Sequence, residues 1–373
     1  MRPPRTSKIQ TILLVLVVLL TCSHGAIFWF HDKLFLYWHT TSNQALSGDS
    51  IVIEKADDLS IPRMFVISLP TRKDRREDME LLQQASNLRW TYWDAVASTD
   101  TIIDQILSRV SSLRSRVDNI SDTSGHKKPH AFRWPKNLDK VVFSQSRISL
   151  STSSFWRSNQ STNLLPLPPG QDSNLTCATR DEDILPYSDD LPEHKILTRA
   201  RLACWQSHLS LLEQIANDAR GRISIILEDD IDMERDIKAH LRWLFTSPPK
   251  GWDIIFLGHC WSDEAHFPPL RNFDGISTNP TGRISLHPSW SPKCTHAYAV
   301  SHHGARRLLL HLLYAPFAYS RPIDQAFAWL IQSKRLKSYS VVPSIIVQRK
   351  IGQSDVSQGI GSIWRDELGN GIL

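Results

Sequence analysis

The stretch 223–232 constrains the fold of this chain more than any other part of its sequence. It begins with the run Ile223–Leu227, whose β-branched residues are typical of a strand buried on both faces of a parallel sheet. In open α/β sheets, ligands bind at the carboxyl ends of the strands, so side chains that directly follow such a run are expected at a binding site. Four acidic residues occupy these positions: Glu228, Asp229, Asp230 and Asp232.

Carboxylates placed this close together repel each other unless a cation neutralises them. Because an oxygen-only cluster suits Mn²⁺ or Mg²⁺ better than zinc, the acidic motif predicts a site for one of those two metals. The ligand spacing and the loop glycine of an EF-hand are absent from the sequence, which excludes that type of calcium site. The alternative interpretation is a solvated acidic loop that caps the next helix.

Other segments alternate between strand-like and helix-like patterns. The segment Arg199–Ala219 repeats apolar residues on one side and is followed by Gly221, so it predicts an amphipathic helix. Alternating strands and helices predict an α/β fold with a mostly parallel sheet. The remaining predicted strands are 63–69, 88–96, 253–258, 295–301 and 338–342, and the remaining predicted helices are 73–85, 304–313 and 323–333.

The composition limits what else the chain can be. It has 373 residues, 41% of them hydrophobic, which excludes a wholly disordered chain and a membrane protein with several spans. Its formal charge is +5, from 43 basic and 38 acidic residues, and such mild basicity does not indicate a nucleic-acid binder. The polar segment at about 100–195 is expected to be a long, partly flexible insertion, with a helix around 102–117.

The N-terminus has the pattern of a membrane anchor. Residues 9–30 carry no charged side chain, and as a helix they would span roughly 33 Å, enough for a bilayer core. Basic residues within 1–8 predict a cytoplasmic tail, so that residues 31–60 form a stem and the remainder faces a lumen. A signal peptide cleaved near residues 21–26 is the alternative. The anchor interpretation predicts a single-pass type II protein of the Golgi or endoplasmic reticulum membrane.

Two further patterns fit a lumenal location. Three N-x-[ST] sequons in one polar region predict N-glycosylation. Four cysteines could form one or two disulfides in an oxidising compartment, and the sequence leaves their pairing open. The sequons are at Asn119, Asn159 and Asn174, and the cysteines are Cys177, Cys204, Cys260 and Cys294.

Six segments of the chain match, in order, the motifs of a known family. The chain resembles glycosyltransferase family 25, which includes bacterial lipooligosaccharide and procollagen galactosyltransferases, and it is most similar to fungal members. Ser68 stands where the family often has Asn, and Ala203 replaces a glycine. The resemblance covers about 63–96 and 197–356, and its segments are 66–76, 203–208, 227–231, 295–305, 322–324 and 343–355.

The resemblance implies a GT-A fold, a Rossmann-like α/β arrangement, over residues 61–356, followed by a C-terminal tail at 357–373. It implies an inverting hexosyltransferase that uses a UDP-sugar, UDP-galactose first of all, together with Mn²⁺ or Mg²⁺. The acceptor would be a glycan or a glycoprotein. The sequence does not identify that acceptor, and it does not separate galactose from glucose in the donor.

The resemblance also implies roles for individual residues. Asp230 would ligate the metal, and Glu228 would reach either the metal or the donor ribose. Asp324, at the start of a predicted helix, would take the proton of the acceptor hydroxyl, while Asp355 competes for this role or completes the metal shell. Further candidates for donor binding are Ser68, Arg72, Arg75, Ser207, His208 and Asp229.

For several of these residues a purely structural role is the competing interpretation. Arg72 and Arg75 suit bidentate contacts with phosphate, but they would otherwise form a solvated basic turn. His208 lies on an amphipathic helix, where a buried core histidine is the commoner case. Asp229 is expected to point away from the metal, and Asp232 is expected to cap a helix.

Two other functions stay open at the level of sequence. A non-catalytic relative could keep the fold and bind a glycan or a partner protein. A lumenal hydrolase could use paired carboxylates without any nucleotide. The intact acids at the metal and base positions favour an enzyme, and the Arg-rich turn at 72–76 favours a nucleotide-sugar donor.

Overall fold

The computed structural model describes residues 61–121, 134–157, 175–179, 183–184, 188, 190–273, 284–349 and 367–373. Within these ranges, no helix is both long enough and apolar enough to cross a membrane. The predicted tail, anchor and stem, residues 1–60, lie outside the described residues, and so do Asn159, Asn174 and Asp355. The backbone of Asn119 is described as part of a helix.

The strands and helices follow one another along the chain, with a short 3₁₀ turn at Glu193–Lys195. In chain order, the described strands are β1 (Arg63–Ser68), β2 (Thr91–Asp94), β3 (Leu175–Thr176), β4 (Ala178–Thr179), β5 (Asp183–Ile184), β6 (Ile196–Leu197), β7 (Ser224–Glu228), β8 (Ile231–Met233), β9 (Ile254–Phe256), β10 (Arg271–Asn272), β11 (Ser285–Pro288), β12 (Ala297–Val300), β13 (Ser338–Val342) and β14 (Ile346–Gln348). The described helices are α1 (Lys73–Ser86), α2 (Thr101–Ser121), α3 (Leu138–Val142), α4 (Ser154–Arg157), α5 (Arg199–Ala216), α6 (Ile237–Thr246), α7 (His302–Leu312) and α8 (Ile323–Gln332).

Eight of these strands form one sheet, in the order β10-β11-β13-β9-β12-β7-β1-β2. β1 pairs in parallel with both β2 and β7, and β9 pairs in parallel with β13. β11 and β12 are antiparallel to their neighbours. Six strands therefore run in one direction and two in the other, which confirms the prediction of an α/β fold with a mostly parallel sheet.

Strand β7 lies inside this sheet, between β1 and β12. Ile225, Ile226 and Leu227 are fully buried. Because successive side chains of a strand point to opposite faces, Ile226 packs into the core on one face, and its two neighbours pack into the core on the other. Burial on both faces is the physical reason for the uninterrupted apolar run, and it fixes where the acidic residues after β7 emerge.

Helix α5 covers the face of the sheet on which Ile226 lies. Its first turn is capped by Thr198, whose hydroxyl oxygen accepts a hydrogen bond from the backbone N–H of Arg201. Leu202, Trp205 and Leu209 are buried along one side of the helix. The packing of this side against the sheet holds the whole of α5 in place.

Part of the segment that the sequence marks as an insertion belongs to this core. Its predicted helix is present as α2, and Ile103, Ile106 and Val110 are buried in the same core as α5. The buried guanidinium of Arg109 donates to the carbonyl oxygen of Phe155 at 2.7 Å. Although the segment 100–195 is polar overall, it therefore contains one helix with an apolar face that packs into the core.

Asp232 does not cap a helix, and that prediction is wrong. It lies in β8, and the next helix, α6, begins only at Ile237. Its buried carboxylate instead accepts hydrogen bonds from the backbone N–H groups of Met233, Ile372 and Leu373. The end of the chain thus packs against β8, which also pairs with β14.

The start of α7 packs directly on the residue that precedes β9. A Cβ atom added to Gly304 would lie 1.9 Å from the backbone carbonyl oxygen of Asp253, which cannot turn away. We expect Gly304→Ala to lower the free energy of unfolding by about 3 kcal/mol, because the helix must move off the sheet. Urea unfolding measures this change. The exposed His303→Ala serves as the control, with an expected change of about 0.5 kcal/mol or less, and equal effects of the two substitutions would contradict this packing.

Candidate active site

Glu228, the last residue of β7, is held by hydrogen bonds from two sides. Its Oε1 accepts from the Thr295 hydroxyl at 2.7 Å and lies 3.2 Å from Nε2 of His208. Nδ1 of His208 lies 2.9 Å from the Tyr298 hydroxyl oxygen. Burial opposes ionisation of Glu228, but the hydrogen bond and charge of His208, together with the Thr295 hydroxyl, lower its pKa overall. The surroundings therefore favour an ionised carboxylate at this position.

Asp229 forms an ion pair with Arg75, from the first turn of α1. The two side chains are 2.8 Å apart and are only 8% and 14% exposed. The same guanidinium lies 3.4 Å from Oδ2 of Asp230. Burial acts against the charge of Arg75, yet the two carboxylates raise its pKa overall. This helix thus supplies a positive charge directly to the acidic motif.

Of the three consecutive acids Glu228, Asp229 and Asp230, Asp230 has the least complete set of hydrogen bonds. Its Oδ2 accepts from the side-chain amide of Gln348 at 3.1 Å, and its backbone oxygen accepts from the N–H of Arg349 at 2.7 Å. Its Oδ1 is buried and has no hydrogen-bond partner among the residues that the structure describes. Burial, and then the nearby charge of Glu228, raise the pKa of Asp230 to about 7, against the opposing effect of Arg75. The motif therefore places Glu228, whose surroundings favour ionisation, two residues before Asp230, whose charge is only partly compensated.

Asp324 lies in the first turn of α8. Its Oδ1 accepts from the N–H of Gln325 at 2.7 Å, and its Oδ2 lies 3.4 Å from the N–H of Cys294. Burial raises the pKa of the Cys204 thiol well above its usual range, and the negative charges of Glu228, Asp324 and Asp230 add to this rise. The Cys204 thiol is therefore within electrostatic range of both Asp324 and the acidic motif.

The other predicted donor-binding residues have different surroundings. The hydroxyl of Ser68 donates to the carbonyl of Leu69 and accepts from Nε of Arg76. Arg72 pairs with Asp74, whose side chain is 66% exposed, so this arginine lies at the rim of the site. Ser207 is different again. It is buried, and its hydroxyl donates to the Ala203 carbonyl and accepts from the N–H of Val96, so it joins α5 to the end of β2.

His208 is a core histidine that also contacts the acidic motif. It is fully enclosed, with an exposed fraction of 1%, as expected of a core histidine. One of its ring nitrogens nevertheless contacts the site carboxylate of Glu228. Sequence reasoning assigned no role to Thr295 and Gln348, which contact the acids, or to Tyr298, which contacts His208, although all three fall within the matched family motifs.

A second set of possible metal ligands lies on the α5 side of the site. Ligand atoms of Cys204, His208 and Glu228 lie within 4.8 Å of one another. Both ring nitrogens of His208 have hydrogen-bond partners, and the raised pKa of Cys204 keeps its thiol protonated. Because a thiolate is the form that binds metals, the carboxylate oxygens of the acidic motif are the better ligands.

One disulfide joins the loops beside the site. It connects Cys260, shortly after β9, with Cys294, shortly before β12. Cys177 and Cys204 are free thiols in the described part of the chain. Of the four cysteines considered from the sequence, two therefore form a disulfide.

Comparisons with known proteins bear on the function of this site. The sequence model of "Glycosyltransferase family 25 (LPS biosynthesis protein)" matches residues 171–325. Over 210 residues the chain is 24% identical to "Probable inactive glycosyltransferase 25 family member 3" of Rattus norvegicus, a match that covers 52% of this chain and 34% of the rat protein. Over 241 residues it is 25% identical to "Inactive glycosyltransferase 25 family member 3" of Mus musculus, covering 57% and 38% respectively. The chain thus spans about a third of the length of these relatives.

The two arginines of the β1–α1 turn differ in the burial of their partners. We expect Arg75→Met to lower the free energy of unfolding by about 3 kcal/mol, because it leaves the Asp229 carboxylate buried without its cation. Arg72→Met removes the same charge beside the exposed Asp74 and should cost about 0.5 kcal/mol. Chemical unfolding of both variants measures the difference. Equal losses would show that the Arg75–Asp229 pair is not the main compensation of the motif.

Proposed function

We propose that this chain transfers a hexose from a UDP-sugar to a glycan or glycoprotein acceptor, because the sequence model of glycosyltransferase family 25 matches residues 171–325. The proposed reaction depends on Mn²⁺ or Mg²⁺ and inverts the anomeric configuration. Galactose is the proposed sugar, on the strength of the family resemblance. The proposed fold type is GT-A, which the mixed sheet with its mostly parallel strands supports.

The observation that carries this proposal is the buried, unpaired oxygen of Asp230. A buried acceptor left without a partner costs about 1–3 kcal/mol, and Oδ1 of Asp230 is such an atom among the described residues. Arg75 brings one positive charge to a motif of three carboxylates. A divalent cation would satisfy the open oxygen and compensate the remaining negative charge, so the residues present fit a metal.

Asp230 and Glu228 are the proposed metal ligands. Their oxygens suit Mn²⁺ or Mg²⁺. When bound, such a cation neutralises the charge that develops on the leaving diphosphate. Arg72 is the proposed contact for the donor phosphates, because it lies at the carboxyl end of β1 and its guanidinium can bind phosphate in bidentate fashion.

Asp324 is the proposed general base. The acceptor oxygen forms a bond to the anomeric carbon while the bond between that carbon and the phosphate oxygen breaks. UDP leaves with the electron pair, and the hydroxyl proton passes to the Asp324 carboxylate. Attack on the face opposite the leaving group inverts the configuration. Asp355, outside the described residues, is kept as an alternative base or a further metal ligand.

We also propose a lumenal setting, with the catalytic domain in the Golgi or endoplasmic reticulum and an anchor at 9–30. The Cys260–Cys294 disulfide supports an oxidising compartment, because disulfides persist there and are rare in the cytosol. The charge of the chain, +5 overall, gives no reason to propose a nucleic-acid partner.

The names of the rat and mouse relatives favour a second candidate, a non-catalytic protein that keeps the fold. Such a protein would bind a glycan or a partner without turnover. The carboxylates of Glu228, Asp230 and Asp324 are all present and all act on the Cys204 thiol, which favours catalysis. Release of UDP from UDP-galactose in the presence of Mn²⁺ separates the two candidates.

Removing the charge of Asp230 tests the proposed metal site. Asp230→Asn keeps the shape of the side chain but loses the charge that faces the cation. Metal stabilisation of the leaving group contributes several kcal/mol, so we expect turnover to fall on the order of a hundredfold. Titration with UDP should show weaker binding in the presence of Mn²⁺ and nearly unchanged binding without metal.

Asp324→Asn should give a different result, because a base contacts the acceptor and not the donor. We expect turnover to fall by about a hundredfold or more, with the affinity for UDP in the presence of Mn²⁺ unchanged. The exposed Asp190→Asn serves as a control for loss of one negative charge.

If Asp230→Asn binds UDP as tightly as the parent with Mn²⁺ present, the acidic motif is not the metal site.

A further inference from the structure

Two loops lie side by side next to Asp324. One follows β9 and begins at residue 257, and the other occupies residues 289–296 and leads into β12. The N–H groups of Cys260 and Lys293 each donate to the other residue's carbonyl oxygen at 3.2 Å, and the disulfide joins Cys260 to Cys294. The two loops therefore form one connected surface.

This surface exposes an unusual amount of aromatic area. Of the large apolar side chains that the described residues expose, half lie here: Trp261, Phe267, Leu270 and Trp290. The ring of His266 stacks on Trp290, with centroids 4.2 Å apart and planes 21° apart, and Phe267 meets Trp290 edge-on at 5.7 Å. We call Trp261, His266, Phe267 and Trp290 the aromatic rim. Exposed apolar patches of this kind commonly mark binding sites.

A buried acid holds the rim in place. Glu264 is 1% exposed, and its carboxylate accepts from the backbone N–H groups of Trp290 and Ser291, each at 2.8 Å. It also accepts from the hydroxyls of Ser262 and Ser340, at 2.6 and 2.8 Å. Four hydrogen bonds to one carboxylate fix the loops to β13. The rim is thus built on a rigid support and does not depend on binding to acquire its form.

The backbone of the rim is strained where it meets the disulfide. Trp261 has a φ of 62° and Cys294 a φ of 65°, in the left-handed region that bulky residues rarely adopt. Such strain persists only where the surrounding structure imposes it, and it is found most often at functional sites. At Trp261 the strained conformation accompanies a large ring that is 47% exposed. Packing into the core therefore does not explain the choice of tryptophan here.

The rim lies on the opposite side of the acidic motif from the donor residues. Arg72 and Arg75 follow β1, on one side of β7, whereas the rim loops adjoin β9 and β12, on the other side. Burial lowers the pKa of Lys293, and the charges of Asp324 and Glu264 act against this shift, so Lys293 is near both acids. The N–H of Cys294 reaches Asp324 itself. Asp324 thus contacts the loop that carries Trp290.

We propose that the aromatic rim binds a sugar ring of the acceptor, with Trp261 and Trp290 as its stacking surfaces. This assignment rests on the proposed function, in which Asp324 is the base. A sugar bound at the rim lies beside Asp324, on the side away from the donor residues. The site is a saccharide-binding surface in its own right, whatever reaction follows.

A saccharide fits the chemistry of this surface better than a lipid or an apolar peptide does. A sugar ring has C–H faces that stack on aromatic rings and hydroxyl groups around its edge. His266 belongs to the rim, and Asp263 and Lys293 belong to the same two loops, so these three side chains can supply hydrogen bonds to those hydroxyls. An apolar partner would desolvate these polar groups without replacing their hydrogen bonds, which is unfavourable.

Substitutions of the two tryptophans test this proposal in the full-length chain. Trp261→Gly removes the ring and relieves the strained φ, since glycine adopts this conformation freely. Trp290→Ala removes the second ring, Trp261→Phe restores an aromatic face, and Phe143→Ala, at an exposed position on a different part of the fold, is the control. The probes are immobilised oligosaccharides that end in galactose, mannose or N-acetylglucosamine, with unglycosylated peptides on the same surface.

We expect the parent to be retained by at least one saccharide, and Trp261→Gly and Trp290→Ala to reduce this retention at least tenfold. Trp261→Phe should recover most of it, and Phe143→Ala should match the parent. The melting temperature of Trp261→Gly should not fall below that of the parent, which separates loss of binding from loss of folding. The affinity for UDP with Mn²⁺ should change less than twofold in the tryptophan variants.

Three results would overturn the proposal: retention of the parent by no saccharide, equal retention of the parent and the tryptophan variants, or tryptophan-dependent retention by the peptides alone. Failure of the proposed function gives a different pattern. In that case the parent would bind saccharides through the rim but would show no Mn²⁺-dependent binding of UDP.

Discussion

Three consecutive carboxylates at the end of a fully buried strand require compensation from the elements around them, and much of the site is arranged to provide it. Helix α1 supplies Arg75 to Asp229, and helix α5 supplies His208 to Glu228. The loop before β12 adds the Thr295 hydroxyl. Each contact joins two different elements, and the pair of Arg75 with Asp229 spans 154 positions, so the charge cluster also ties those elements together.

The negative charge of the acidic motif is not fully compensated, because one carboxylate oxygen has no hydrogen-bond partner among the described residues. The proposed metal site rests on this oxygen. Oδ1 of Asp230 lacks a partner among the described residues, while Glu228, two residues earlier, is held in its ionised form. Neighbouring acids whose pKa values are pushed in opposite directions are typical of functional sites. At this edge of the sheet, the basic β1–α1 turn lies on one side of β7 and the aromatic rim lies on the other. Asp324 contacts the loop of the rim through the N–H of Cys294. A donor and an acceptor could therefore approach from opposite sides.

Local pattern was sufficient to predict much of the fold. The predicted strands at 63–69 and 338–342 match β1 and β13 closely, because β1 contains the apolar run Met64–Ile67 and β13 alternates serine with apolar residues. Helix α6 and strand β11 were not predicted. Strand β11 turns Ser285 and His287 toward a polar network on one face, so it lacks an apolar run. The family resemblance, carried by motifs in order, is confirmed over 171–325.

Contacts between residues that are far apart in the chain could not be predicted from the sequence. Asp232 was expected to cap a helix, whereas its partners include the backbone of Ile372 and Leu373 at the far end of the chain. Nothing in a local pattern indicates that Arg75 pairs with Asp229 across 154 positions.

The most important inference is that the acidic motif binds a divalent cation. Titration with Mn²⁺ in the presence of UDP, followed by electron paramagnetic resonance of the free ion, tests it most directly. We expect the parent to bind Mn²⁺ and Asp230→Asn to lose this binding, whereas equal binding by the two proteins would contradict a metal site at the acidic motif.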